Sequence, residues 1–223
     1  MQTYSSITAR RAEPIPFAGP FAGPADLDEI NLVGLPIAYA RDREIFGEGE
    51  PANKVYKVIS GAVRVFRILA DGRRQILKFC LPGDVFGIEM GAEHNANAES
   101  IGDSLVVVAL RSHVLGDDAS LSPRLWRLAM SDLRRSHDQI LNLGRRSASE
   151  RLASFLAEMA ERLGDEGTIE LPMSRQDIAD YLGLTIETVS RTLTQFRSLG
   201  LITIRDCRTI SIERPTVMTA LCA

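Results

Sequence analysis

The sequence predicts an α+β protein with three parts in order: an antiparallel β-barrel or jelly roll, a long helix and a winged helix-turn-helix. Short alternating apolar runs separated by glycine turns fill residues 37–110, as in a small antiparallel barrel. Residues 122–144 form one amphipathic helical pattern with proline in its first turn. Within residues 173–199, two short helical patterns flank a tight turn. A β-sandwich of another topology stays open for the first part, because periodicity does not determine strand order.

The composition is that of a folded protein from a reducing compartment. Hydrophobic residues make up 45% of the 223 and charged residues 25%, which is ordinary for a globular chain. No apolar run approaches the roughly 18 residues of a membrane span, and the N-terminus lacks the layout of a secretory signal. Cys80, Cys207 and Cys222 are widely spaced without a CxxC pair, which argues against a disulfide framework or a zinc site. We therefore expect a cytoplasmic protein with no membrane partner.

The N-terminal residues are rich in proline and glycine. The tetrapeptide FAGP begins at Phe17 and again at Phe21, so residues 1–25 are expected to form a flexible arm. Docking of the two phenylalanines on another surface is the alternative. Residues 25–34 are consistent with a short helix.

The barrel prediction rests on strands and one strong turn. Residues 54–66 and 75–81 alternate between apolar and polar side chains on either side of Asp71-Gly72. An Asp-Gly pair between such runs is a strong hairpin signal. Residues 105–110 predict a further apolar strand.

The long helix carries an apolar stripe at coiled-coil spacing. Trp126, Leu133 and Ile140 recur every seven residues, and their neighbours complete an a/d seam over about three heptads. A homodimer seam is the preferred interpretation. Packing on the chain's own barrel is the alternative, because a single amphipathic helix looks similar in both cases. The predicted seam residues are Trp126, Ala129, Met130, Leu133, His137, Ile140 and Leu143.

The first helix of the helix-turn-helix is predicted over Arg175–Leu182. It follows another helical pattern at residues 148–163 and a short strand at 168–171. Ser174 is its N-cap, and Asp177 stands where a capping box usually has Glu or Gln. Gly183 ends it, since glycine adopts the left-handed C-cap at little steric cost.

The second helix has one apolar and one polar face. Thr185 is its predicted N-cap, and the buried stripe consists of Val189, Leu193 and Phe196. The outer face would present Ile186, Glu187, Ser190, Arg191 and Thr194. A helix of this kind is suited to a DNA major groove.

The following residues predict a basic wing. Residues 201–204 and 209–212 form two short strand patterns around a turn at 206–208. The whole chain carries a formal net charge of −3, which is unfavourable for nucleic acid. Affinity for phosphate depends on local charge, however, and residues 185–208 have four arginines against two carboxylates, a net +2. The global charge therefore does not exclude DNA.

Glu187 and Arg191 are the candidate base-reading pair. A glutamate accepts a hydrogen bond from cytosine N4, and an arginine donates two to guanine O6 and N7. At a spacing of four they project from one face and also have the spacing of an ordinary surface ion pair, which is the alternative. Ser190 and Ile186 are candidates for neighbouring base edges or thymine methyl groups.

Other classes of function lack support. The sequence contains no GxSxG, P-loop, HExxH or paired Cys/His set, so an enzyme is not expected. A ligand-binding module with a degenerate DNA-binding region is disfavoured because Glu187, Ser190 and Arg191 are all present. We divide the chain into an arm (1–25), a barrel (26–120), a dimerisation helix (121–145) and a winged helix-turn-helix (146–223).

These motifs resemble the cyclic-AMP receptor/fumarate-nitrate-reduction (CRP/FNR) superfamily of bacterial transcription regulators. The similarity includes GEGEP at 47–51, YKVISGAV at 56–63, LPGDVFG at 81–87 and ETVSR at 187–191. The sequence of residues 177–191, DIADYLGLTIETVSR, looks most like the FixK branch, which controls genes of microaerobic respiration and nitrogen fixation.

The resemblance implies a cyclic-nucleotide-binding-like barrel and a homodimeric transcription activator. It would bind double-stranded promoter DNA at a TTGA/TCAA-type inverted repeat and contact RNA polymerase. Two-fold symmetry would place the recognition helices about 34 Å apart. The expected DNA-binding residues are Ser174, Arg175, Thr185, Ile186, Glu187, Ser190, Arg191 and Thr194.

Departures from the family pattern predict a regulator without cofactors. Cyclic-nucleotide-binding members hold the phosphate with an Arg-Ser or Arg-Thr pair after the GDVFG motif. Here residues 89–100 contain no arginine, and the carboxylates of Glu89, Glu93 and Glu99 would repel a phosphate. We therefore expect no cyclic-nucleotide binding.

The iron–sulfur cluster and the haem found in other family members also need particular ligands. The first cysteine is Cys80, so three thiolate ligands of an N-terminal iron–sulfur cluster are missing. A haem ligand among His94, His113 and His137 stays open, although a solvated or seam histidine is the preferred interpretation for each. A ligand-gated sensor, for instance of nitric oxide through haem, is the alternative within the family.

Redox control has one remaining candidate. Some FixK-type relatives carry an oxidisable cysteine at the position of Ser174, and a serine cannot be oxidised in that way. Cys207 in the wing turn is the other thiol near the expected DNA surface; a passive surface thiol is the favoured interpretation.

Overall fold

We describe the protein from a computed structural model that covers residues 32–114, 122–164 and 167–221. The predictions for residues 1–25 and for Cys222 lie outside the described residues, as does most of the short helix expected at 25–34. Residues 32–34 are not helical.

The described chain contains a β-rich part followed by a mainly helical part. The first part has β1 (Leu35–Tyr39), β2 (Glu44–Phe46), β3 (Lys54–Ser60), β4 (Val63–Ile68), β5 (Arg74–Cys80), β6 (Val85–Phe86), β7 (Asn97–Ser100), β8 (Ser104–Leu110) and α1 (Arg111–Val114). The second part has α2 (Ser122–Arg145), α3 (Ala148–Leu163), β9 (Thr168–Glu170), α4 (Arg175–Leu182), α5 (Ile186–Ser198), β10 (Ile202–Ile204), β11 (Thr209–Ile212) and α6 (Pro215–Ala220). This order confirms the predicted α+β class.

The strands β1 to β8 form a barrel of two antiparallel four-stranded sheets. Their orders are β1-β8-β3-β6 and β2-β7-β4-β5. Phe46, Tyr56 and Phe86 fill the space between the sheets, with ring centroids 5.2 Å apart for Phe46–Tyr56 and for Tyr56–Phe86. Burial of these aromatic side chains holds the two sheets together.

Two glycines lie at connections between strands of this barrel. The predicted Asp71-Gly72 hairpin is confirmed, because β4 and β5 pair antiparallel around it and Gly72 has a φ of 82°. The strand predicted over residues 54–66 is instead divided at Gly61 into β3 and β4, which lie in different sheets. Gly61 has a φ of 80°, and a Cβ there would overlap Ser104. Alternation continues across the break, so it did not reveal the change of sheet.

The helical part closes around a small three-stranded sheet. Its strand order is β10-β11-β9, and β10 and β11 form the predicted wing. The inward side of α3 is as predicted, with Leu152, Phe155, Leu156 and Met159 all buried. Among the described helices, none is long and apolar enough to cross a bilayer.

The barrel and the helical part share one apolar cluster. Ile76 and Phe79 of β5 belong to the same buried group as Phe155 of α3 and Ile178 of α4. The ring centroid of Phe79 lies 6.2 Å from that of Phe155 and 5.2 Å from that of Tyr181 on α4. The first helix of the helix-turn-helix is therefore packed directly against the barrel.

Candidate nucleic-acid interface

Local caps fix α4 at both ends. The Ser174 hydroxyl accepts a hydrogen bond from the Asp177 N–H at 3.1 Å, and the Asp177 carboxylate accepts one from the Ser174 N–H at 3.0 Å. The predicted capping box is therefore confirmed with Asp in place of Glu. Gly183 has a φ of 62° and its N–H bonds to Ala179 O, which confirms the left-handed C-cap. The turn that orients the second helix therefore begins at a local C-cap, and the Arg151 guanidinium also donates a hydrogen bond to Leu182 O at 3.1 Å.

The second helix, α5, buries one side and exposes the other. Thr185 caps it by accepting a hydrogen bond from the Thr188 N–H at 3.2 Å. The predicted stripe of Val189, Leu193 and Phe196 is buried against α3 and α4, with exposures of 0 to 2%. The exposed residues are Ile186, Glu187, Arg191 and Thr194, and Ser190 is half-buried. The polar face is thus free of the protein's own core.

The structure brings the two helices together at Ser190. The Arg175 guanidinium donates a hydrogen bond to Ser190 Oγ at 3.4 Å, and the Thr194 hydroxyl bonds to Ser190 O at 2.9 Å. Ser174, Arg175 and Ser190 therefore form a continuous surface across α4 and α5. Sequence spacing alone did not predict the contact between Arg175 and Ser190.

Glu187 and Arg191 do not pair with each other in the structure. Hydrogen bonds from its own backbone N–H and from the Thr185 hydroxyl lower the pKa of Glu187, so this exposed carboxylate is ionised at neutral pH. The Arg191 side chain is exposed and makes no hydrogen bond or ion pair with any residue in the described part of the chain. The alternative of an ordinary surface ion pair is therefore not what the structure contains. Both side chains are available to an external partner.

The wing turn is held by one carboxylate. Asp206 accepts hydrogen bonds from the N–H groups of Arg208 and Thr209, each at 2.8 Å, and from the Thr209 hydroxyl at 2.9 Å. These bonds lower the pKa of Asp206. Cys207 lies at the exposed tip of the turn and forms no disulfide.

The predicted seam lies on the exposed side of α2. Trp126 is 67% exposed, Leu133 46% and Ile140 65%. Met130, Ala129 and His137 are also exposed, whereas Leu143 is half-buried. An adjoining side of α2 faces the rest of the chain through Asp132, which pairs with Lys78 at 2.9 Å, and Gln139, which bonds to Tyr181 O at 2.8 Å. Most of the stripe is therefore not packed on the chain's own barrel in the residues described.

The loop expected to repel phosphate is only partly as predicted. Glu99 is bound by Arg64 at 2.7 and 3.0 Å, so its charge is compensated within the barrel. Glu89 accepts a hydrogen bond from the Asn95 side chain at 3.0 Å. The structure reveals a compensating arginine that sits outside the loop, on β4. Only the loop's own lack of arginine could be predicted from the sequence.

His94 is a core side chain, which corrects its prediction as a solvated or seam histidine. It is 2% exposed, and its ring stacks on Phe46 with centroids 3.7 Å apart. Burial lowers the pKa of His94, although Glu89, 3.7 Å away, opposes that shift. His113 and His137 are exposed as predicted. Across residues 32–114, 122–164 and 167–221, no group of three or more His, Cys, Asp or Glu side chains could hold a metal ion.

Sequence reasoning missed two arginines of the barrel that reach α4. Asp177 accepts hydrogen bonds from Arg64 at 3.3 Å and from Arg74 at 2.7 Å. These partners are more than one hundred positions apart in sequence, 113 and 103 respectively. No local pattern distinguishes them from other arginines on β-strands.

Comparison with known proteins matches both parts of the chain. Residues 36–116 match the family model described as a cyclic nucleotide-binding domain, and residues 150–221 match the Crp-like helix-turn-helix domain. The nitrogen fixation regulation protein FixK of Rhizobium meliloti (strain 1021) is 42% identical over 214 residues, or 96% of this chain and 98% of the relative. The transcriptional activatory protein AadR of Rhodopseudomonas palustris is 43% identical and covers 82% of this chain and 79% of the relative. The solved structure of FixK2 from Bradyrhizobium japonicum superposes with a TM-score of 0.83 at 46% identity, covering 86% of this chain and 98% of that one.

Proposed function

Because the chain belongs to the CRP/FNR family of transcription regulators, we propose that it works as a homodimer that reads an inverted DNA repeat of the TTGA/TCAA type. It is similar to FixK regulators and is not an enzyme.

The exposed face of α5 carries this proposal. Glu187 is an ionised acceptor suited to a cytosine amino group, and Arg191 is an unpaired donor suited to guanine. Because the two side chains lie one helical turn apart, both would reach the single G·C pair of a TTGA half-site, Glu187 at the cytosine and Arg191 at the guanine. Ser174, Arg175 and Thr185 surround them as candidates for phosphate contacts at the helix N-termini, where backbone N–H groups favour anions. Ile186, Ser190 and Thr194 would meet base edges and thymine methyl groups.

The exposed stripe of α2 supports the dimer. A monomer that leaves Trp126, Leu133 and Ile140 between 46% and 67% exposed keeps a row of apolar side chains in water. A second copy of α2 at coiled-coil distance would bury that row with the predicted a/d spacing. The two-fold axis would then relate two α5 helices about 34 Å apart, which suits half-sites one DNA turn apart.

The names of the relatives support a proposal for the class of genes that this chain regulates. FixK proteins of Rhizobium meliloti and Azorhizobium caulinodans are called nitrogen fixation regulation proteins, and AadR is called a transcriptional activatory protein. We infer that this chain activates genes of microaerobic, anaerobic or nitrogen-fixing metabolism in the cytoplasm and contacts RNA polymerase there.

We further propose that DNA binding requires no cyclic nucleotide or iron–sulfur cluster. The loop at residues 89–100 has no arginine of its own, and Arg64 beside it is already bound to carboxylates. His94 is packed against Phe46 in the barrel core, and neither ring nitrogen has a hydrogen-bond partner among the described residues.

Footprinting tests these proposals together. Purified protein is incubated with a duplex carrying TTGA and TCAA half-sites and with a scrambled duplex, each without additions and with cyclic AMP or haem. We expect a colourless protein that protects only the repeat, to the same extent under all conditions. Protection that appears only with an added ligand would favour a ligand-gated sensor, and equal protection of both duplexes would contradict sequence reading.

A further inference from the structure

A pair of arginines on the barrel holds α4, the first helix of the helix-turn-helix. Arg74 of β5 donates to Asp180 Oδ2 at 2.8 Å through Nε and to Asp177 Oδ1 at 2.7 Å through Nη2. Its guanidinium also lies over the Phe66 ring, 5.7 Å from the centroid. Paired carboxylates and an aromatic ring restrict the orientation of this side chain.

Arg64 of β4 is held even more tightly. Its side chain is 10% exposed, and it bonds to Glu99, to Asp42 at 2.9 Å and to Asp177 at 3.3 Å. Burial opposes the charge on Arg64, but these carboxylates outweigh it and raise the pKa of Arg64. Because the barrel's own Glu99 and Asp42 fix the guanidinium, it reaches Asp177 without further ordering.

Asp177 connects the barrel to the DNA-facing end of α4. Its Oδ2 accepts from the N–H and the hydroxyl of Ser174, and its Oδ1 accepts from the two arginines. The carboxylate is 4% exposed, so solvent screens these pairs little. One side chain therefore joins a barrel anchor to the N-cap beside the expected DNA surface.

The other contacts between barrel and helical part are less specific for α4. Phe79 packs on Phe155 and Tyr181 through apolar contacts, which impose little direction. Arg162 pairs with Asp84 but lies on α3. The arginines on Asp177 and Asp180 are the directional, charged contacts to α4 itself.

From this geometry we propose that Arg64 and Arg74 are positioning residues that fix the angle of the helix-turn-helix on the barrel and so set the half-site spacing that the dimer accepts. The inference rests on the proposed reading of an inverted repeat. One base pair added between half-sites shifts a half-site by about 3.4 Å and rotates it by about 35°. A fixed reading domain cannot follow this change without cost, whereas a loosened domain adapts.

The test compares spacing tolerance among full-length variants. Binding is measured by fluorescence anisotropy on duplexes whose TTGA and TCAA half-sites have the preferred spacing or one base pair more or less. Arg74→Ala removes the contacts to Asp177 and Asp180. Arg67→Ala is the matched control, because Arg67 lies on β4 but pairs at 2.7 Å with Glu48 on the barrel surface.

We expect the wild type and Arg67→Ala to show the same spacing penalty. In Arg74→Ala, the loss of affinity caused by one base pair more or less between the half-sites should be roughly 2- to 10-fold smaller than in the wild type. A change of this size is typical when a coupling between contacting residues is lost. Arg74→Lys, which keeps the charge, should restore part of the spacing penalty. Asp180→Asn removes one anchoring carboxylate and leaves the capping box intact, so it provides the same comparison if Arg74→Ala does not fold.

The outcomes separate this inference from the proposed function. If Arg74→Ala and Asp180→Asn weaken binding at every spacing by one common factor, the arginines are merely structural and the inference is wrong. If the wild type does not distinguish the repeat from scrambled DNA, the proposed function itself fails.

Discussion

Replacing Arg191 by alanine tests base reading most directly. Arg191 is exposed and has no hydrogen-bond or ion-pair partner within the described residues. Its removal therefore leaves no buried group unpaired, and the free energy of unfolding should change by less than about 0.5 kcal/mol. Any large effect on DNA binding must then come from contacts made to DNA.

The expected magnitude follows from symmetry. One bidentate arginine–guanine pair contributes about 1–3 kcal/mol of discrimination. A homodimer has two such arginines, so discrimination should fall by about 2–6 kcal/mol, or roughly 30-fold to 20,000-fold in the ratio of affinities. The neighbouring Glu187 does not pair with Arg191, so its conformation should be unchanged in the variant.

The assay is a cycle of protein and DNA substitutions. Dissociation constants are measured at one salt concentration for wild type and Arg191→Ala on the TTGA/TCAA repeat and on a repeat with the guanines replaced by adenines. Wild type should lose affinity on the substituted repeat, and Arg191→Ala should lose much less, because only the Glu187 contact to the paired cytosine then distinguishes the two duplexes. Arg205→Ala serves as the charge-matched control on the exposed wing; it should weaken both duplexes alike and reduce the salt slope by about 1.

One result would refute the reasoning. If Arg191→Ala weakens both duplexes by the same factor, as Arg205→Ala is expected to, Arg191 contacts phosphate and base reading lies elsewhere on α5.

Three further predictions concern assembly, stability and pH. Leu133→Asp should shift sedimentation toward monomer and weaken cooperative DNA binding, whereas Leu141→Asp, off the predicted seam, should leave the dimer intact; an unaffected Leu133→Asp dimer would move the seam. Phe196→Ala should cost about 3–5 kcal/mol in urea unfolding because Phe196 is 2% exposed, against little change for the exposed Leu199→Ala. Burial lowers the pKa of His94 in the folded protein, so the unfolded chain binds the proton more readily. The neutral His94 side chain therefore makes its full contribution to stability above about pH 6.5, the ordinary pKa of histidine. That contribution is lost as the pH falls through the lower pKa of the folded protein. The melting temperature of wild type should therefore fall more steeply than that of His94→Gln between about pH 7.5 and about pH 5.5, and parallel curves would contradict this.

Local chemistry made the helix-turn-helix predictable from the sequence. Ser174, Asp177 and Gly183 lie within ten residues, and their caps mark both ends of α4 in the sequence. The 3.6-residue period then predicted which side of α5 is buried. The order of barrel, long helix and wing also followed from patterns a few residues long.

Patterns of that length did not determine which sheet or which face a segment joins. Alternation runs through residues 54–66 although Gly61 sends β3 and β4 into different sheets. The heptad stripe of α2 fits burial against a barrel as well as against a second helix, and only the packed structure shows Trp126 and Ile140 in solvent. His94, a polar residue in a polar loop, is buried because Phe46 lies beside it in space.

The sequence alone therefore determined which face of α5 is exposed, whereas the tertiary structure decided how that helix is held. The residues proposed to read bases are recognisable from type and spacing, because caps and helical period act over a few residues. The anchor from Arg64 and Arg74 to Asp177 joins residues 113 and 103 positions apart. Such ion pairs depend on which surfaces the fold brings within about 4 Å and excludes from water, and that is a property of the packed chain.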